Sequence, residues 1–154
     1  MQNLRENLLS FLNENLKTKN QIAVSTCRLM LAAIKDRDIQ NRSTNSEGKI
    51  SDIEIFNLFQ GMIKQRKESM KIYQDAGRKE LSEREKAEID VINIFLPEQK
   101  SEEDLIKIIN EEKEKINANS IKDLGKLISV LKEKYPGEID MKKTAEFAKK
   151  ILSK

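Results

Sequence analysis

The chain has 154 residues, a formal charge of +3 from 29 basic and 26 acidic side chains, and 38% hydrophobic against 36% charged residues, with only 5 Gly, 2 Pro and 5% aromatics. That is enough for one ordinary domain or two small ones, and the balance favours helices over sheet-rich or disordered structure. The absence of His removes the usual general base and the commonest metal ligand, and one Cys cannot form an internal disulfide or a thiolate cluster, so triads, zincins and most zinc sites are excluded.

Helical periodicity runs through the chain. A first helix, about Gln2 to Lys17, lines Leu4, Leu8, Phe11, Leu12 and Leu16 along one stripe. Its acidic residues Glu6 and Glu14 and its spread apolar positions match neither a secretory signal nor a transit peptide. A second helix, about Asn20 to Gln40, is apolar around most of its circumference, with a narrow polar strip through Gln21, Arg28 and Lys35, and should be central. Asn41 to Lys49 is polar and reads as an exposed, mobile loop.

Ser51 with Glu54 predicts a capping box for a third, long helix ending near Ala76, with Gly77 as its left-handed stop. Ser82 with Glu85 predicts the same device for a fourth helix, ended by Pro97. Three shorter amphipathic segments follow, Ser101 to about Ile116, Ser120 to about Lys134 and Asp140 to Leu152, with N-caps at Ser101 and Ser120. The expected fold is all-α and multihelical, with an N-terminal four-helix subdomain over 1–97 and a C-terminal three-helix subdomain over 98–154. All seven arginines precede Pro97, and every later cation is Lys. No apolar run is long enough to span a bilayer, and a reducing cytoplasm is the expected setting.

Few residues point to chemistry. Cys27 lies on the apolar face of the second helix, where a thiolate is disfavoured, so packing is its expected role. The carboxylates Asp36/Asp38, Glu102/Glu103/Asp104 and Glu111/Glu112/Glu114 read as solvated faces and caps rather than acid/base or Mg²⁺ sites, and neither metal nor cofactor is expected. Arg66 continues the inward stripe Ile55, Phe59, Met62, Ile63, Met70 and Tyr73 where an apolar side chain is due. It is either a structural ion pair, with Glu88 nearest across the Gly77 turn, or an exposed RNA- or ligand-binding arginine. Lys64, Lys67 and Lys71 lie on the opposite face and, with Arg78 and Lys79, form the densest basic stretch: a phosphate-contacting strip or a solvated helix face. No aromatic interleaves with it, which argues against base stacking.

Cys27-Arg28-Leu29-Met30-Leu31-Ala32-Ala33-Ile34-Lys35, Ile63-Lys64-Gln65-Arg66-Lys67-Glu68-Ser69 with Ala76-Gly77-Arg78, Leu96-Pro97-Glu98-Gln99 and Asp123-Leu124-Gly125-Lys126 together resemble the GatB/YqeY family, specifically its stand-alone YqeY-like members. The resemblance covers nearly the whole chain in order. Cys27, Leu124 and Ile128 depart from it at packing positions, where Leu, Met and Met are expected. It implies a small, multihelical, two-subdomain bacterial protein similar to the C-terminal tail region of the amidotransferase B subunit, whose enzyme converts Glu-tRNA(Gln) or Asp-tRNA(Asn) to the amidated form. That implies contact with tRNA, and a family association with carbon–nitrogen ligase activity using glutamine as amido-N-donor. The chain itself shows no nucleophile or ATP site. The expected function is a non-catalytic tRNA-interacting module with a translation or transamidation component as partner, using Lys64, Lys67, Lys71, Arg78 and Lys126. The alternatives are a protein-interaction adaptor with an apolar groove between the subdomains, and a cryptic enzyme.

Overall fold

The computed structural model describes residues 3–44 and 48–153. Seven α-helices and one 3-10 turn account for their regular structure, and no strand occurs among them. The chain divides into two compact units, Met1–Leu96 and Pro97–Lys154, each with its own apolar core.

In the first unit, α1 (Leu4–Thr18) is capped by the Asn3 side chain, which accepts from the Arg5 N–H. Its Leu8 is fully buried, and the Leu8 carbonyl accepts from the Cys27 thiol at 3.3 Å. α2 (Gln21–Asn41) packs against α1, α3 and α4. Only Ala23, Thr26, Cys27, Met30 and Ile34 of it are buried, while Ile22, Leu29 and Ile39 reach solvent. α2 is therefore shared by three neighbours but not enclosed, because those neighbours cover one broad side. The polar stretch after it is more anchored than expected. Gly48 and Ile50 are buried, and Ile50 donates its N–H to Asp38 at 2.8 Å. Residues 45–47 of the expected mobile loop lie outside the described residues.

α3 (Asp52–Asp75) opens on the Ser51–Glu54 capping box and ends where Gly77 adopts φ +70°. The Arg78 N–H bonds to the Tyr73 carbonyl at 2.8 Å and the Gly77 N–H to Gln74 at 3.1 Å, the paired bonds of a Schellman turn. That turn completes the reversal within two residues, so α4 (Lys79–Asn93) begins at once. The expected cap at Ser82 does not form: Ser82 is the fourth residue of α4 and is buried, and the actual N-cap, Arg78, makes no side-chain capping bond. Leu8, Met30, Ile55, Phe59 and Ile92 make the centre of this unit's core, and Phe11 meets Phe95 edge to face at 5.1 Å.

In the second unit, α5 (Glu102–Lys115), α6 (Leu124–Lys134) and α7 (Met141–Leu152) pack mutually around Leu105, Ile109, Leu127, Leu131 and Ala148. Ser101 caps α5 through the Asp104 N–H at 3.1 Å. The segment opening at Ser120 starts as the 3-10 turn Ile121–Asp123 before α6. There the Asp123 carboxylate accepts from the N–H groups of Asn119 and Ser120, which hold its pKa below the ordinary range.

Candidate functional site

Two faces of α3 carry the charged residues of interest. The inner face buries Ile55, Phe59 and Ile63 and then presents Arg66, because position 66 continues their helical spacing. Arg66 Nε donates to Glu88 Oε2 at 3.1 Å, with side chains 14% and 12% exposed, and its Nη1 donates to the Met62 carbonyl at 3.3 Å. Arg84 adds a longer contact to Glu88 at 3.6 Å. Glu85 stands beside this pair, and burial, followed by repulsion from Glu88, pushes its pKa up. Arg66 thus spends its guanidinium on α3 and α4, which leaves it poorly placed for a ligand.

The outer face presents Lys64, Lys67 and Lys71, all exposed, at spacings of three and four residues. They share one side of α3 over roughly 10 Å of helix axis. None forms an ion pair with the described residues, and neither does Arg78, the exposed N-cap residue of α4. Lys126 belongs to the second unit, in the first turn of α6, where its charge helps hold the Asp123 carboxyl low. Arg78 follows the α3 strip in the same unit, and Lys126 is held by a separate body.

Cys27 is fully buried, and burial raises its thiol pKa, the reverse of what a nucleophile needs. Among the described residues, no three His, Cys, Asp or Glu side chains gather so as to hold a metal ion.

The ion pairs centred on Asp38 and Glu112 escaped the sequence reading. Asp38 accepts both Nη atoms of Arg5, at 2.8 and 2.9 Å, along with the Ile50 N–H, and the Arg5 guanidinium holds its carboxyl below the usual range. The partners lie far apart in sequence, so no local pattern announces them. Glu112 is not the solvated face expected of the Glu111/Glu112/Glu114 cluster. It is buried and accepts from Lys134 at 2.9 Å and Lys115 at 3.3 Å, with its pKa lowered chiefly by Lys134. A signal was present, since Glu112 follows Leu105, Ile108 and Ile109 at inward spacing.

The sequence profile described as Yqey-like protein matches residues 5–152. The chain belongs to the YqeY-like family. This YqeY-like chain is 27% identical over 119 residues to Altered inheritance of mitochondria protein 41, mitochondrial, of Vanderwaltozyma polyspora, covering 73% of the chain but only 62% of that relative's length. It is 25% identical over 99 residues to an uncharacterized protein of Schizosaccharomyces pombe, covering 64% of the chain and 76% of the relative. Chains similar to this YqeY-like protein therefore occur in yeasts, and one is mitochondrial by name. No helix of the described residues is long and apolar enough to cross a membrane.

Proposed function

We propose that this protein is a non-catalytic RNA-interacting module that holds tRNA by its phosphates, as an accessory to transamidation or another step of translation. The observation that carries the reading is the outer face of α3, where Lys64, Lys67 and Lys71 are exposed without ion-pair partners among the described residues. A row of lysine point charges suits a polyanion and reads charge rather than base sequence. Arg78 extends the row, and Lys126 supplies a contact from the second unit. The resemblance to the amidotransferase B-subunit tail supports tRNA as the RNA. The lack of His and the enclosure of Cys27 support a binding role over a catalytic one. The cytoplasm is part of this reading, and a fluorescent fusion imaged in the source cell tests it against the mitochondrial location in the name of one relative.

The test is the anisotropy of labelled tRNA over a salt series. Log K should fall linearly with log[salt], and Lys67→Gln with Lys71→Gln should reduce the slope by about one unit per lost contact. Preference among tRNA sequences should stay unchanged. An unaltered slope in that variant would remove α3 from the interface, and no binding at low salt would sink the RNA reading.

A further inference from the structure

The middle of α3 holds a glycine that no packing requires. Gly61 is the tenth residue of this helix and is exposed, and nothing lies within 4 Å of the position a Cβ would take there. Glycine in a helix interior is unfavourable against alanine, because it gives up more backbone freedom on folding. What the missing side chain provides is a stretch of helix backbone that another molecule can approach closely.

The residues around Gly61 sort into two lanes. Successive helical residues turn by about 100°, so Gln65, Glu68 and Ile72 follow Gly61 along the outward pole of α3, turned away from the buried Ile55, Phe59 and Ile63. Lys64, Lys67 and Lys71 run beside that pole, all on one flank. Glu68 stands four residues after Lys64 and three before Lys71, yet no ion pair of the described residues joins it to either. Asp75, also exposed, closes the strip near the end of the helix. A flat row of phosphates laid on the pole would meet the Glu68 carboxylate directly. A groove would not, because its phosphates stand at the borders and its floor offers hydrogen-bond donors.

We propose that α3 lies in the minor groove of a double-stranded, A-form RNA stem, with Gly61 at the point of closest approach. The inference rests on the RNA reading above and adds the form of the RNA and its pose. Lys64, Lys67 and Lys71 donate to the phosphates of the one strand that borders their flank. Gln65 and Glu68 accept from the ribose 2′-hydroxyls displayed in that groove, and Ile72, 66% exposed, packs on ribose carbons. A helix about 10–12 Å across suits the wide, shallow minor groove of A-form RNA and not the minor groove of B-DNA, about 6 Å wide. The major groove of B-DNA admits a helix but presents no 2′-hydroxyl to the acceptors on the pole. None of the exposed residues of α3 is aromatic, so a single strand finds no surface for stacking.

The test is the anisotropy of a fluorescein-labelled RNA duplex of about 16 base pairs, compared at one low salt concentration with the DNA duplex of the same sequence and with the single RNA strand. The RNA duplex should bind about tenfold more tightly than either, and unlabelled duplex should displace labelled tRNA. Methylating the 2′-oxygens throughout the duplex removes the donors, leaves the phosphates in place and should weaken binding about tenfold. Gly61→Gln puts a side chain into the open position with a better helix former. It should raise the melting temperature, keep the helical circular-dichroism spectrum and weaken duplex binding about tenfold. Equal affinity for the RNA and DNA duplexes, or undiminished duplex binding by Gly61→Gln, would overturn the pose. The tRNA reading would survive that result if tRNA still bound with a salt slope that depends on Lys67 and Lys71, whereas no binding of tRNA or duplex at low salt would remove both.

Discussion

Arg66 shows how a single misplaced charge can be read from spacing and then explained by contact. An arginine on the inward stripe of α3 must be paired, and the structure pairs it with Glu88 at 3.1 Å, both side chains largely withdrawn from water. Arg66→Met leaves the Glu88 carboxylate with only the longer Arg84 contact, and should lower the stability of the first unit by about 2 kcal/mol. Combining it with Glu88→Leu should recover most of that loss, as read from urea midpoints of the two single variants and the double. Strict additivity would show that the two are uncoupled. Glu112 has the same logic, and the spacing that exposed Arg66 applies to it equally. It was obscured because three acidic residues in four look like a solvated face. Arg5 and Asp38 differ in kind: nothing within a helical turn of either residue marks it for the other.

At the scale of elements, charged anchors decide how helices meet where apolar stripes alone leave freedom. Glu112 on α5 ties the end of α6 through Lys134, and its own helix through Lys115. Its folded pKa lies below the ordinary 4.5, so the unfolded state binds the proton more readily. The pair's contribution is therefore complete above about pH 4.5 and is lost as pH falls through the lower folded value. Glu112→Gln should cost about 1 kcal/mol at neutral pH, a modest figure because both lysines are half in solvent. The deficit should shrink as acid protonates the native carboxylate, which urea titrations at stepwise lower pH will show. A deficit constant down to pH 2 would mean that the ion pair contributes nothing. The start of α4 teaches the opposite lesson about elements. Ser82-x-x-Glu85 has the letters of a capping box, but the Schellman turn at Gly77 places the helix start four residues earlier, and the same serine becomes a wall of a cleft.

For the molecule as a whole, the tRNA reading draws on cations from both units, with Lys126 as the contact in the second. If one RNA touches both, Lys126→Gln should lower the salt slope of tRNA binding by about one unit, in addition to the loss from Lys67→Gln and Lys71→Gln. A slope that responds to the α3 substitutions and not to Lys126→Gln would confine the interface to the first unit.

The all-helical class, the number of helices and most of their ends follow from local chemistry. The periodic stripes, the Ser51–Glu54 box, the Ser101 cap and the left-handed Gly77 act within a few residues and survive any packing. The family resemblance likewise rests on short runs of residues and agrees with a match over 5–152. Tertiary structure alone decided which sides of α2 are covered, that Ile50 is held by Asp38, and that Arg5 and Asp38 meet across 33 residues. Burial, ion pairing and the uncapped helix start with its cleft depend on surfaces brought together from distant parts of the chain, and a one-dimensional pattern carries no record of which surface arrives opposite which.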